Sequence, residues 1–70
     1  MSSEEIKDSE LADFCQWHTE HYGRKEVYLS AITTCICGHF HTYPREANLI
    51  INRLVKLGLL EKRKNKVYLK

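Results

Sequence analysis

Proline occurs once and glycine three times in these 70 residues, which excludes collagen-like and Pro/Gly-rich disordered chains. Hydrophobic residues make up 43% and charged residues 29%, the balance of a chain that folds. No apolar run approaches the roughly 18 residues of a membrane span. The opening "MSSEEIKDSE" lacks the basic and apolar regions of a secretory signal. Three cysteines, one isolated and two as C-x-C, make a poor disulfide framework. A glycine-rich phosphate loop and a nucleophile-elbow motif are both missing, so neither catalysis nor a cofactor is expected. What remains is a reduced, cytoplasmic protein with one small domain over residues 1–70, near the lower size at which a single core holds a fold.

The charge is divided unevenly along the chain. Residues 1–23 carry Lys7 against six carboxylates, a balance of −5, whereas residues 24–70 carry ten basic residues against Glu26, Glu46 and Glu61, a balance of +7. One end repels phosphate and the other attracts it.

Apolar spacing gives the elements. Ser2 and Glu5 have the form of a capping box, so a first helix is expected over about 3–22, with Asp8 or Ser9 as later starts and Gly23 as its end. Leu11, Phe14, Cys15, His18 and Tyr22 share one face of it, with Trp17, Ile6 and His21 to one side. "RKEVYLS" supports one short strand over about 26–29. Ser30 is a suitable N-cap for a helix over about 31–38, and Gly38 ends it. "PREANLIINRLVKLG" is the clearest helix, over about 44–57, with Pro44 in the first turn and Gly58 at the stop. Ala47, Ile50, Ile51, Leu54, Val55 and Leu57 form its apolar arc. Arg45, Asn48, Leu49, Asn52, Arg53 and Lys56 lie outside it. The tail "LLEKRKNKVYLK" reads as a hairpin over about 59–69, strands 60–63 and 66–69 around a Lys64-Asn65 turn.

"CICGHFH" places two cysteines and two histidines within seven positions. Cys35 and Cys37 on a helix point about 200° apart and cannot chelate one ion. A metal reading would need Cys37, His39 and His41 in a loop, joined by Cys15 and His18 from the first helix. The simpler reading makes Cys15 and Cys35 small core hydrophobes, Phe40 a central plug, His39 and His41 corner residues, and His18 a hydrogen-bonded buried histidine. No metal is expected.

The order helix, short strand, helix, helix, basic hairpin resembles the winged-helix variant of the helix-turn-helix domain. The segment "NRLVKLGLLEKRKNKVYL" is similar to the junction between recognition helix and wing in many bacterial transcription regulators. The implied fold is α+β, a small winged helix-turn-helix with three helices, a short strand and a C-terminal hairpin wing. "GHFHTYP" departs from it as a turn two or three residues longer than the tight form. The resemblance implies double-stranded DNA as partner, with Arg45, Asn48, Asn52 and Arg53 towards bases or phosphates and Lys62, Arg63, Lys64 and Lys66 on the backbone. Lys56 lies on the same outward face, and Leu49 in its middle would meet a thymine methyl or a protein partner. A homodimer through the first helix, and an adaptor that binds protein instead of nucleic acid, are the alternatives.

Overall fold

Side chains that recur every three or four residues build three helices around one core. The structure, a computed structural model, describes residues 2–70; Met1 of the domain expected over 1–70 lies outside them. The helices are α1 (Asp8–Tyr22), α2 (Leu29–Phe40) and α3 (Pro44–Lys56), and the strands are β1 (Glu26–Tyr28), β2 (Leu60–Arg63) and β3 (Lys66–Leu69). The strands form an antiparallel sheet in the order β1-β3-β2, with β2 and β3 as a hairpin turning at Lys64-Asn65. This is the expected α+β arrangement of three helices, a short strand and a C-terminal hairpin.

The core is where the three helices meet the inner face of the sheet. Leu11 and Phe14 from α1, Ile32 and Ile36 from α2, Ile50, Ile51 and Leu54 from α3, and Leu60, Val67 and Leu69 from the hairpin are all buried. Phe14 sits at the centre of an aromatic group, with its ring 5.5 Å from Phe40 and 5.0 Å from His39. Burial on this scale supplies the main stabilising term. Val55 and Leu57, expected in the apolar arc of α3, are about two-fifths exposed; Val55 lies about 40° beyond Ile51 on the helical wheel, and Leu57 follows the end of the helix.

Several boundaries differ from those expected. The first helix begins at Asp8, the later start the sequence offered, rather than near residue 3. Ser3–Glu5 forms a short 3-10 turn, and Ile6 leaves it with extended backbone and a buried side chain. Ile6 is therefore a core residue ahead of the helix, not a neighbour of Trp17 along it. Ser2 bonds to the Glu5 carboxylate through its side chain, 3.2 Å, and caps no backbone group by its side chain. Ser30 does not cap α2 either, which starts after Tyr28.

Gly38 does not end α2. The helix runs on to Phe40 because Ile32, Ile36 and Phe40 repeat at intervals of four and bury together. His41 takes the left-handed conformation instead, φ 52°, and its neighbour Thr42 donates its N–H to the Cys37 carbonyl at 3.0 Å. The expected long turn thus shrinks to three residues, His41 to Tyr43.

The N-terminal segment is tied to α3 by two residues seven positions apart. The Ser3 N–H donates to Glu46 Oε2 at 2.8 Å. Arg53 donates to the carbonyls of Ser3 and Ile6, the latter at 2.6 Å, and pairs with Asp8 Oδ1 at 2.6 Å. Ser3 is buried, so its carbonyl needs this partner. Arg53→Met, which keeps the apolar stem, is expected to lower unfolding free energy by about 2 kcal/mol and to speed amide exchange at residues 3–8. Unchanged exchange there would show that the clamp does not hold the segment.

Candidate nucleic-acid interface

One side of α3 is left uncovered by the core. Arg45, Asn48, Leu49, Asn52 and Lys56 are all exposed on it, within about 100° of arc on a helical wheel. Their donors, two cationic groups and two amides, suit phosphate oxygens and the hydrogen-bonding edges of bases. Leu49, 46% exposed, stands among them. Arg53 does not join this set. It lies on the edge shared with Glu46 and spends its guanidinium on the N-terminal segment, which brings Asp8 to the same edge.

The basic hairpin does not present one surface. Strand alternation puts Glu61 and Arg63 of β2, and Lys66 and Tyr68 of β3, on the outer face of the sheet. There Arg63 pairs with Glu61 at 3.5 Å and sits 5.7 Å from the Tyr68 ring centre. Lys66 pairs with Glu26 at 3.8 Å and sits 5.2 Å from the Tyr28 ring centre. Lys62 belongs to the opposite row, with Leu60, yet remains exposed on the edge strand. Lys64 occupies the turn. Lys62 and Lys64 are exposed and form no ion pair among the described residues. The hairpin is held in place partly through its tip, where Asn65 O accepts the Leu29 N–H at 2.8 Å.

Composition alone could not separate these roles. Arg53 reads as one more basic residue of the helix face, and only its i,i+7 relation to Glu46 hints at a shared edge. The pairing of Arg63 and Lys66 could be foreseen only from strand register.

The cysteines and histidines take different positions. Cys15 is buried, and desolvation pushes its thiol up to about 11, so it is an inert core residue. Cys35 is half-buried and meets the Tyr22 hydroxyl at 3.6 Å. That contact, the charge of Cys35 and then burial raise the Tyr22 pKa. Tyr22, placed on the apolar face in sequence, is 47% exposed. Trp17 is stacked on His21, ring centres 5.0 Å apart, with His39 at 5.1 Å on the neighbouring helix. Among the described residues no three His, Cys, Asp or Glu side chains converge to hold a metal ion.

His18 is buried on the core side of α1, but its Nδ1 has no hydrogen-bond partner, contrary to the expected hydrogen-bonded histidine. The rings of Phe14, Trp17 and Tyr22 surround the imidazole. Desolvation, and then the neighbouring His21, lower its pKa. The unfolded chain therefore takes up this proton first as pH falls. Stability from His18 is complete above the ordinary value of about 6.5 and is lost as pH drops below it towards the lowered folded value. Urea midpoints should fall between pH 7.5 and 5.5, and His18→Leu should reduce that fall. An identical pH response in the variant would assign the effect elsewhere.

No helix is long and apolar enough to cross a membrane among the described residues. Comparison with known proteins found no matching family model, no matching curated protein and no matching solved structure.

Proposed function

We propose that this chain is a DNA-binding winged-helix domain, a transcriptional regulator or accessory factor without catalytic activity. The reading rests on the outward face of α3, where Arg45, Asn48, Asn52 and Lys56 stand exposed together with no core role. In it α3 enters the major groove, Asn48 and Asn52 bond to base edges, and Arg45 and Lys56 meet phosphates or guanine. Lys62 and Lys64 of the wing lie along the backbone, with Arg63 and Lys66 adding a weaker field from the outer sheet face. Its three free cysteines fit a reduced, cytoplasmic setting. A homodimer, in this reading, would set two copies of α3 on adjacent half-sites.

A second reading is favoured by Leu49, Val55 and Leu57, each at least 40% exposed on or beside α3. These would serve a protein-binding adaptor. The two readings part at Asn52. Asn52→Ala should flatten base preference across a set of duplexes by about 1–3 kcal/mol at one position, with little change in the salt dependence. Equal discrimination by variant and parent would remove α3 from base readout.

A further inference from the structure

We propose that the groove between the end of α1, β1 and the exposed side of α2 binds a small aromatic carboxylate. The groove has a volume of about 480 Å³ and is lined by His18, Tyr22, Arg24, Val27, Ala31 and Cys35, with Thr34 beside them. That volume falls in the usual range for small-molecule sites. It lies on other elements than the α3 face and does not depend on the nucleic-acid reading.

Three observations converge on it. His18, 2% exposed, lines the groove with its Nδ1 unpartnered, and a buried polar atom left without a partner marks a place where the fold gives up stability. The His18 ring lies 4.6 Å from the Tyr22 ring, and the Tyr22 hydroxyl reaches Cys35 on α2. Two rings and a polarisable sulfur therefore form one wall, suited to the face or edge of an aromatic ligand. Val27 and Ala31 supply apolar surface beside it.

The anionic half of the ligand is set by Arg24. Its guanidinium has no ion pair among the described residues, whereas Glu26, in the adjoining recess that Arg24 also lines, is paired with Lys66. A planar guanidinium without a carboxylate partner recognises a carboxylate in bidentate fashion. Burial lowers the His18 pKa, which disfavours a second positive charge in the groove. One cation at the rim and an aromatic wall within match a ring bearing one carboxylate better than a phosphate or a neutral ligand.

The test is an amide-resolved NMR titration of the whole protein with naphthoate, and separately with its neutral analogue naphthamide. Naphthoate should give saturable shifts centred on residues 18–35, with naphthamide about tenfold weaker, the value of one charge-assisted bond. Arg24→Gln should bring the two ligands to the same affinity, and Ala31→Trp, at an exposed helical position, should block both. Both variants alter surface positions, and their own amide spectra report whether they fold. Absence of saturable shifts, equal binding of acid and amide by the parent protein, or full binding by Ala31→Trp would overturn the assignment.

Discussion

Phe14→Ala should remove a large share of the protein's stability and lower its urea midpoint steeply. The ring is fully buried and touches the aromatic groups of Trp17, His18, His39 and Phe40, so its removal opens a cavity that three helices cannot readily close. Truncations of this kind cost about 3–5 kcal/mol. A chain of 70 residues has a total stability of roughly 3.5–10 kcal/mol, and the loss consumes much of it. Trp17 is the single tryptophan, 6.1 Å from Phe14, which makes urea unfolding by its fluorescence a direct measure. Phe14→Leu, which keeps most of the volume, should retain the fold. A Phe14→Ala protein with an unchanged urea midpoint would mean that the aromatic group is not the centre of the core.

The second large effect concerns the hairpin. Lys62→Gln with Lys64→Gln should weaken duplex binding on the order of fifty-fold at roughly 0.1 M salt and lower the slope of log affinity against log salt by about 1.8, two phosphate contacts at about 0.9 each. Arg63→Gln with Lys66→Gln should cost less than about fivefold. The formal charge removed is the same in both doubles. The difference arises because Arg63 and Lys66 already share their charge with Glu61 and Glu26 and lie over tyrosine rings on the outer sheet face, whereas Lys62 and Lys64 have no such partners. Fluorescence anisotropy of a labelled duplex across a salt series separates the pairs. Equal losses would show that the field of the hairpin acts as a whole, irrespective of side.

The contrast between the two basic pairs shows what could be read from the amino-acid order and what could not. Helix α3 was legible at both ends, since Pro44 opens it and Gly58, at φ 78°, follows it. The hairpin was legible to the residue, because apolar alternation and a two-residue turn leave few registers. The end of α2 was not. A glycine at position 38 looks like a stop, but the Ile32, Ile36, Phe40 repeat continues the buried stripe for another turn, and packing outweighs the roughly 1 kcal/mol that glycine costs within a helix. The start of α1 was legible only as an alternative, at Asp8, for a related reason. Ser2 and Glu5 imitate a cap, while the actual path is fixed by Ile6 entering the core and by Arg53 reaching from 47 residues away to hold its carbonyl. Long-range bonds of that kind leave no local signature. The face of α3 was read correctly at Arg45, Asn48, Leu49, Asn52 and Lys56 as exposed, and only Arg53 departs from it.

The N-terminal clamp also bears on how α3 could approach DNA. Glu46, Asp8 and the neutralised Arg53 line one edge of the helix, while Asn48 and Asn52 face away from that edge. In the proposed reading, a duplex would meet α3 from the Asn48 side, away from Glu46 and Asp8.

The central claim is tested most directly by an amide NMR titration of the labelled protein with a mixed-sequence DNA duplex at low salt, repeated at higher salt. The expected result is a set of shifts concentrated in residues 45–56 and 62–64 that disappears as salt rises. An unshifted spectrum from the folded protein, or salt-insensitive shifts confined to the neighbourhood of Leu49, Val55 and Leu57, would contradict nucleic-acid binding through α3 and the wing.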